Sequence, residues 1–194
     1  MKHSWLGLAF ALASLPSFTQ NMAVGEPSYS GTGCPDNSAF VVLGADAKSL
    51  SILFDQYVAQ AAGADSEDRK TCNISIPIHV PEGMSVSIRR VDYQGLNNLP
   101  YGASARLNAD YFFAGTKGSS YQKTFMGDLA EPYKLTRPLN VSFRTWSSCG
   151  QDINLITNSV LSIKSNRQGE QSLSRVGTTD AREGITYYFE SRGC

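Results

Sequence analysis

Residues 73–80 read Asn-Ile-Ser-Ile-Pro-Ile-His-Val, and the alternation is strict: Ile74, Ile76, Ile78 and Val80 against Asn73, Ser75, Pro77 and His79. A period of two sends one set of side chains to a buried face and the other to water, the signature of a half-buried strand. Cys72 opens this strand and Pro81 closes it. Proline has no amide hydrogen to give to a ladder, so Pro77 predicts an edge strand or a bulge. A strand with one apolar face needs a second apolar layer to cover it, and the rest of the chain supplies material of the same kind.

Ala39–Leu43 is a short apolar strand followed by Gly44-Ala45-Asp46, a turn. Leu50 to Val58 fits a helix through Leu50, Leu53, Phe54, Tyr57, Val58 and Ala61 as well as it fits a strand. Ser49 and Ser51 alternating with apolar neighbours, and the β-branched and aromatic content, decide for a strand. Further strands are expected over 85–93, over 107–113, where Leu107, Ala109, Tyr111 and Phe113 alternate, and over 121–126, 141–146, 153–163 and 185–190. Residues 97–102 read as a long loop and 165–184 as loop or weakly paired edge. Roughly eight or nine short strands, punctuated by turn residues and with no dependable helix, predict an all-β, antiparallel β-sandwich of jelly-roll-like or Greek-key type. A closed β-barrel has the same periodicity and is the alternative. With 194 residues and no linker-like stretch, one core and one domain are expected over residues 23–194.

Residues 1–22 stand apart. Lys2 and His3 precede the apolar run Trp5 to Leu15, which Pro16 ends. That run is well short of the ~20 residues of a membrane span and fits a signal peptide, with Ser17 and Thr19 at the −3 and −1 positions or with Ala23 as a second choice. No later run is long enough to span a bilayer. The chain is therefore expected to be secreted or extracytoplasmic, in a periplasm or at a cell surface. Lys plus Arg and Asp plus Glu balance at 17 each, which removes the basic footprint of a nucleic-acid binder.

Cys34, Cys72, Cys149 and Cys194 all follow the leader, and an even count in an exported chain reads as two disulfides. No C-x-x-C pair exists and His79 is the only histidine beyond the leader, so neither a metal nor another cofactor is expected. The path of the chain suggests the pairing. A strand leaving Cys34, turning near Asp46 and returning by Val58 brings the chain back to Cys72. In the same way Cys149, the segment to Ile163 and the return over 185–189 bring Cys194 to Cys149. The expected bonds are Cys34–Cys72 and Cys149–Cys194.

Several stretches carry a resemblance. Gly33-Cys34-Pro35, Phe54-Asp55-Gln56-Tyr57-Val58-Ala59, Arg69-Lys70-Thr71-Cys72, Tyr93-Gln94-Gly95 through Ala114-Gly115, Trp146-Ser147-Ser148-Cys149-Gly150 and Arg192-Gly193-Cys194 follow one another in order. They resemble a secreted family known as domain of unknown function 4360. The resemblance implies export, two disulfides and an all-β domain, and it brings no catalytic residues.

Chemistry-bearing residues are sparse. Any Ser-His-Asp arrangement has to pass through His79, which sits on the wet face of its strand with no Gly-x-Ser-x-Gly elbow elsewhere. Asp55, Asp92, Asp110 and Glu190 lie on expected strands and are candidates for the carboxylate pair of a secreted glycosidase-type hydrolase. As a rule such residues are the wet side of a sheet. Asp65, Glu67 and Asp68 offer oxygens of the kind calcium takes, but their spacing is not that of an EF-hand and a solvated acidic loop accounts for them. Asn73-Ile74-Ser75 and Asn140-Val141-Ser142 are glycosylation sequons. The loop aromatics give the sharpest reading. Tyr101, Tyr121 and Tyr133, with Asn97 and Asn98 beside the first, supply flat rings and amide donors of the kind that hold a sugar. The leading expectation is a ligand- or glycan-binding module, with carbohydrate or another surface protein as partner. The alternatives are the hydrolase and a purely structural secreted protein.

Overall fold

The computed structural model describes residues 21–177 and 184–194, and within them thirteen strands form two antiparallel sheets packed face to face. In the first sheet, β1 (Ala23–Val24) and β2 (Ser28–Ser30) share one edge of β6 (Glu67–His79). Then come β11 (Ile153–Lys164), β8 (Ser104–Phe113) and the edge strand β9 (Ser119–Met126). In the second sheet, β7 (Met84–Leu99) carries β10 (Leu129–Pro138) on one side. On its other side β13 (Gly184–Gly193) and β12 (Ser172–Val176) lie end to end. From β13 the sheet continues to β4 (Ser49–Phe54) and β3 (Ala39–Leu43), and from β12 to β5 (Val58–Ala61). Both sheets are open, so the protein is a sandwich and not a closed barrel.

The alternation does what it promises. Ile74, Ile76 and Ile78 of β6, with Leu107, Leu155 and Leu161 beside them, are buried against Leu50, Ile52 and Phe54 of β4, Val91 of β7 and Ile185 of β13. Each such side chain contributes roughly 1.5–3 kcal/mol by leaving water. Several polar groups inside this layer are answered. The Tyr57 hydroxyl donates to Ser159 Oγ at 3.0 Å, Ser159 Oγ donates to the Cys72 carbonyl at 3.2 Å, and Thr157 and Tyr187 share a hydrogen bond at 2.9 Å.

Several expectations are corrected. Pro77 is not on an edge: β6 has partners on both sides. The Pro77 carbonyl accepts from Gly25 N–H, so its missing amide hydrogen faces the break between β1 and β2 and costs no rung with β11. The stretch 50–58 is neither one strand nor a helix; β4 ends at Phe54, and β5 starts at Val58 with a different partner. Asn97 and Asn98 are not in a loop but within β7. Residues 172–176, read as loop or weak edge, form β12, paired with β7 on one side and β5 on the other. Residues 141–146 are not a strand: Asn140 Oδ1 accepts from Ser142 N–H and winds Val141–Phe143 into a 3-10 turn, leaving one bridge from Trp146 to Ser87. Strand β10 was not foreseen at all.

The disulfides pair as expected, Cys34 with Cys72 at a Cα separation of 5.3 Å and Cys149 with Cys194 at 5.9 Å. The path differs from the simple up-and-down one. Cys72 lies inside β6, and its bond ties down the crossing from β2 in one sheet to β3 in the other, where Gly33 N–H also donates to the Thr71 carbonyl. The second bond closes over the start of β7, where Gly150 N–H meets the Met84 carbonyl and Cys194 N–H the Gly83 carbonyl. Loops of 38 and 45 residues give about 4 kcal/mol each in the chain-entropy account.

The expected leader falls almost wholly outside the described residues, but its boundary bears on the fold. Met22 is buried in the core, and Ala23 and Val24 pair with His79 and Ile78. A terminus at Ala23 or beyond removes that packing, so we propose cleavage after Thr19. N-terminal sequencing of secreted protein is expected to read Gln20-Asn21-Met22; a sequence beginning at Ala23 or later contradicts this.

The interior tyrosines give the fold an alkaline limit. Burial raises the hydroxyls of Tyr57, Tyr93, Tyr133 and Tyr187 well above their usual value, and it pushes Tyr111 up to about 12. A raised folded-state pKa favours the fold fully below the unfolded value of 10.0, and that contribution is lost as pH climbs above it. Tyrosinate absorbance from these rings is therefore expected to appear together with loss of near-ultraviolet circular dichroism above pH ~10. Smooth ionisation of all of them in a still-folded protein overturns the assignment.

Candidate functional site

The outward faces of β6, β11, β8 and β9 carry an unusual set of side chains. Cross-strand register aligns Ser30, Asn73, Asn158, Asp110 and Ser120 in one row across five strands. The next row is Thr71, Val160, Asn108 and Gln122, and the one beyond it Arg69, Ser162, Arg106 and Thr124. On the other side of the first row lie Ser28, Ser75, Ile156 and Phe112. The inward neighbours Cys72, Ile74, Ala109, Tyr111 and Ser159 are all buried, so the alternation itself turns these residues outward.

The polar groups at the middle of this face have no structural employment. Among the described residues, the side chains of Asn73, Asn108, Asn158, Asp110 and Gln122 make no hydrogen bond or ion pair with the protein. They present amide donors, amide and carboxylate acceptors and hydroxyls on a rigid ladder. Three shallow depressions follow one another over the same face. One of about 260 Å³ is bordered by Ser28, Ser30, Asn73, Ser75, Ile156 and Asn158. A second of about 150 Å³ is bordered by Glu67, Ser104, Arg106, Thr124, Ser162 and Lys164. A third of about 320 Å³ lies by Pro77, His79, Asp152 and Asn154.

The five residues expected to bind a sugar do not come together. Asn97 is buried, with its Oδ1 accepting from Ser174 Oγ at 2.7 Å. Tyr121 is half-buried and stacks on Tyr93, centroids 4.8 Å apart. Tyr133 packs on Phe125 at 4.7 Å and donates to the Arg175 carbonyl at 3.0 Å, across a Gly95 whose Cβ would collide with both partners. Only Asn98 and Tyr101 are exposed, Tyr101 at 82% on the turn after β7. No aromatic platform results.

The landmarks that carried the resemblance now have places in the fold. Gly33-Cys34 and Thr71-Cys72 form the first disulfide junction, and Cys149-Gly150 and Gly193-Cys194 form the second. Residues 20–194 match the family described as Domain of unknown function (DUF4360). The chain belongs to this family. An uncharacterized secreted protein of Arthroderma benhamiae is 37% identical over 135 residues, 68% of this chain and 55% of that protein, so the chain spans about half the length of this curated relative. Among solved structures it is loosely similar to TmCBM61 in complex with beta-1,4-galactotriose (13% identity, 86% of this chain and 88% of that one, TM-score 0.35). It is also loosely similar to the family 11 carbohydrate-binding module of the cellulosomal cellulase Lic26A-Cel5E of Clostridium thermocellum (10% identity, 90% and 87%, TM-score 0.25).

Two disulfides and no free cysteine make this DUF4360 protein an extracytoplasmic one. The four candidate acids do not converge on a cleft. Asp110 lies on the first sheet, Asp92 and Glu190 on the second, and Asp55 is exposed on the turn after β4. Asp92 pairs with Arg90 at 3.2 Å, and Glu190 is held by Arg144. In the acidic stretch each carboxylate is answered by a lysine: Lys164 lies 3.9 Å from Asp65 and 3.5 Å from Glu67, and Lys70 lies 3.5 Å from Asp68. Among the described residues no group of three His, Cys, Asp or Glu side chains is placed to hold a metal ion. His79 is exposed as expected, with a partner the sequence did not show, Asp152 at 2.8 Å.

Proposed function

We propose that this is an exported carbohydrate-binding module whose ligand lies across the outward face of β2, β6, β11, β8 and β9. The observation that supports it is the block of unpartnered amide, hydroxyl and carboxylate groups on that face. Polar groups free of internal partners are what a polyhydroxylated ligand requires, and the ladder has already fixed the backbone that spaces them, so only their rotamers remain to be ordered on binding. The row from Ser30 to Ser120 crosses four inter-strand steps of ~4.8 Å, about 19 Å, a length suited to an oligosaccharide rather than a single sugar. Ile156, Val160 and Phe112 lie among the polar rows and offer apolar contact for ring faces. A protein partner is the poorer fit, since stable protein interfaces are built around a cluster of aromatic and aliphatic anchors. The exposed large hydrophobics, Phe40, Val42, Tyr101, Met126 and Val141, leave the centre of this face without one.

Asn73 is both a member of the row and the acceptor of a sequon, so the test uses protein from a host that does not glycosylate. Affinity electrophoresis and calorimetry against neutral polysaccharides are expected to find a saturable ligand. Asn158→Ala, which removes one amide from the middle of the row, should weaken it about five- to tenfold, as one lost hydrogen bond of ~1 kcal/mol requires. Asn98→Ala, on the other sheet, should leave it unchanged. Equal binding by Asn158→Ala and wild type, or no neutral glycan bound at all, overturns the proposal.

A further inference from the structure

The edge strands β9 and β10 belong to different sheets and are joined by the tight connection Gly127-Asp128. Near that connection the sheets are zipped together by Phe125 against Tyr133, and then by Tyr121 against Tyr93. Farther along they part. Between Ser119-Ser120 on one side and Arg137 to Asn140 on the other lies a cleft of about 350 Å³, with Tyr111 in its wall. A smaller recess of about 20 Å³ adjoins it, sharing Tyr111, Ser119 and Leu139 and reaching Lys117. The larger space lies at the lower end of the ~300–1,000 Å³ range of small-molecule sites.

The electrostatics of this cleft are one-sided. Arg137 stands opposite Val91 in the β7–β10 register, two residues beyond Leu135 opposite Tyr93, so it belongs to the inner face of its sheet although it is exposed at the edge. An inward-pointing charge on an edge strand can serve merely to discourage strand-to-strand association. Three further facts go beyond that role. Neither Arg137 nor Lys117 has an ion-pair partner among the described residues. No carboxylate lines either cavity. The fully buried Tyr93 hydroxyl finds no hydrogen-bond partner and lies within electrostatic reach of Arg137, Tyr111 and Tyr121. The guanidinium fork matches a carboxylate in two parallel hydrogen bonds. Asn140 Oδ1 accepts from Ser142 N–H while its amide hydrogens stay unused, and Leu139 provides an apolar surface beside it.

We infer that this cleft is a second binding site, for an acidic sugar residue of the uronic-acid type, with Arg137 as the anchor of its carboxylate. The site meets the outward face of the first sheet only at its Ser119-Ser120 border and stands whether or not that face binds a glycan.

Galacturonate, galactose and acetate are the probes, titrated by calorimetry and by chemical shift into mature protein from a host that does not glycosylate, since Asn140 in the cleft wall is also the acceptor of a sequon. Galacturonate is expected to bind saturably, and both galactose, which lacks the charge, and acetate, which lacks the ring, at least about tenfold more weakly. Added salt should weaken galacturonate binding. Arg137→Gln should lose it by about tenfold or more, Arg137→Lys should fall between the two, and Asn158→Ala on the outward face should have no effect. Unchanged binding in Arg137→Gln, loss in Asn158→Ala instead, acetate or galactose matching galacturonate, or no saturable binding each overturns the inference.

Discussion

Strand β7 is the member on which the second sheet hangs. It is 16 residues long and pairs along both sides, with β10 on one and with β13 followed by β12 on the other. A strand this long stays useful only if its buried face can be re-aimed along the way. The irregularity between Tyr188 and Phe189 of β13, opposite Arg89-Arg90, does this: Val86 and Ile88 point inward below it, and Val91 and Tyr93 above. The ends are held as well. Met84 and Gly83 accept hydrogen bonds from the two halves of the Cys149–Cys194 junction, and Gly95 lets Tyr133 reach the Arg175 carbonyl.

This arrangement divides the work between the two outward faces. On the second sheet the polar groups around Tyr188 are occupied. Arg90 lies 3.7 Å over the Tyr188 ring and 3.2 Å from a nearly buried Asp92, and Ser51 and Thr186 bond each other. An ion pair buried to this degree adds little net stability, because desolvation offsets most of the attraction, but it turns the two charges toward each other. On the first sheet the apolar layer and the ladder suffice for stability. The outward amides and hydroxyls of β6, β11, β8 and β9 are therefore free to meet something from outside.

Strands β6, β8 and β11 were legible in the sequence because each has one face in the core and one in water, so their apolar residues fall into a clean period of two. Strand β10 was hidden. It is an edge strand, hence little of it is buried, and Pro132, Lys134 and Arg137 read as loop. Strand β12 was hidden for the opposite reason: its core positions are Ser172 and Ser174, the latter bonded to Asn97, while Leu173 and Arg175 face outward. Residues 141–146 alternate convincingly, yet a single side-chain bond from Asn140 turns them away from any ladder. The disulfide pairing came out of a simplified path because only the meeting of chain ends mattered to it. The proposed binding face could not be read at all. Asn73, Asn158, Asp110 and Ser120 are neighbours only through the register of four strands that are scattered along the chain, whereas Tyr121 and Tyr133 stood out in the sequence for the very bulk that places them against the core.

That a ligand meets the protein on the outward face of the first sheet is the central claim, and backbone amide mapping tests it most directly. With isotopically labelled protein and a soluble neutral oligosaccharide, the shifts that move should be those of Asn73, Ser75, Asn108, Asp110 and Asn158, while Asp92, Gln94 and Thr186 on the other sheet stay still. Perturbations concentrated on the second sheet, or spread evenly over both, would contradict the account.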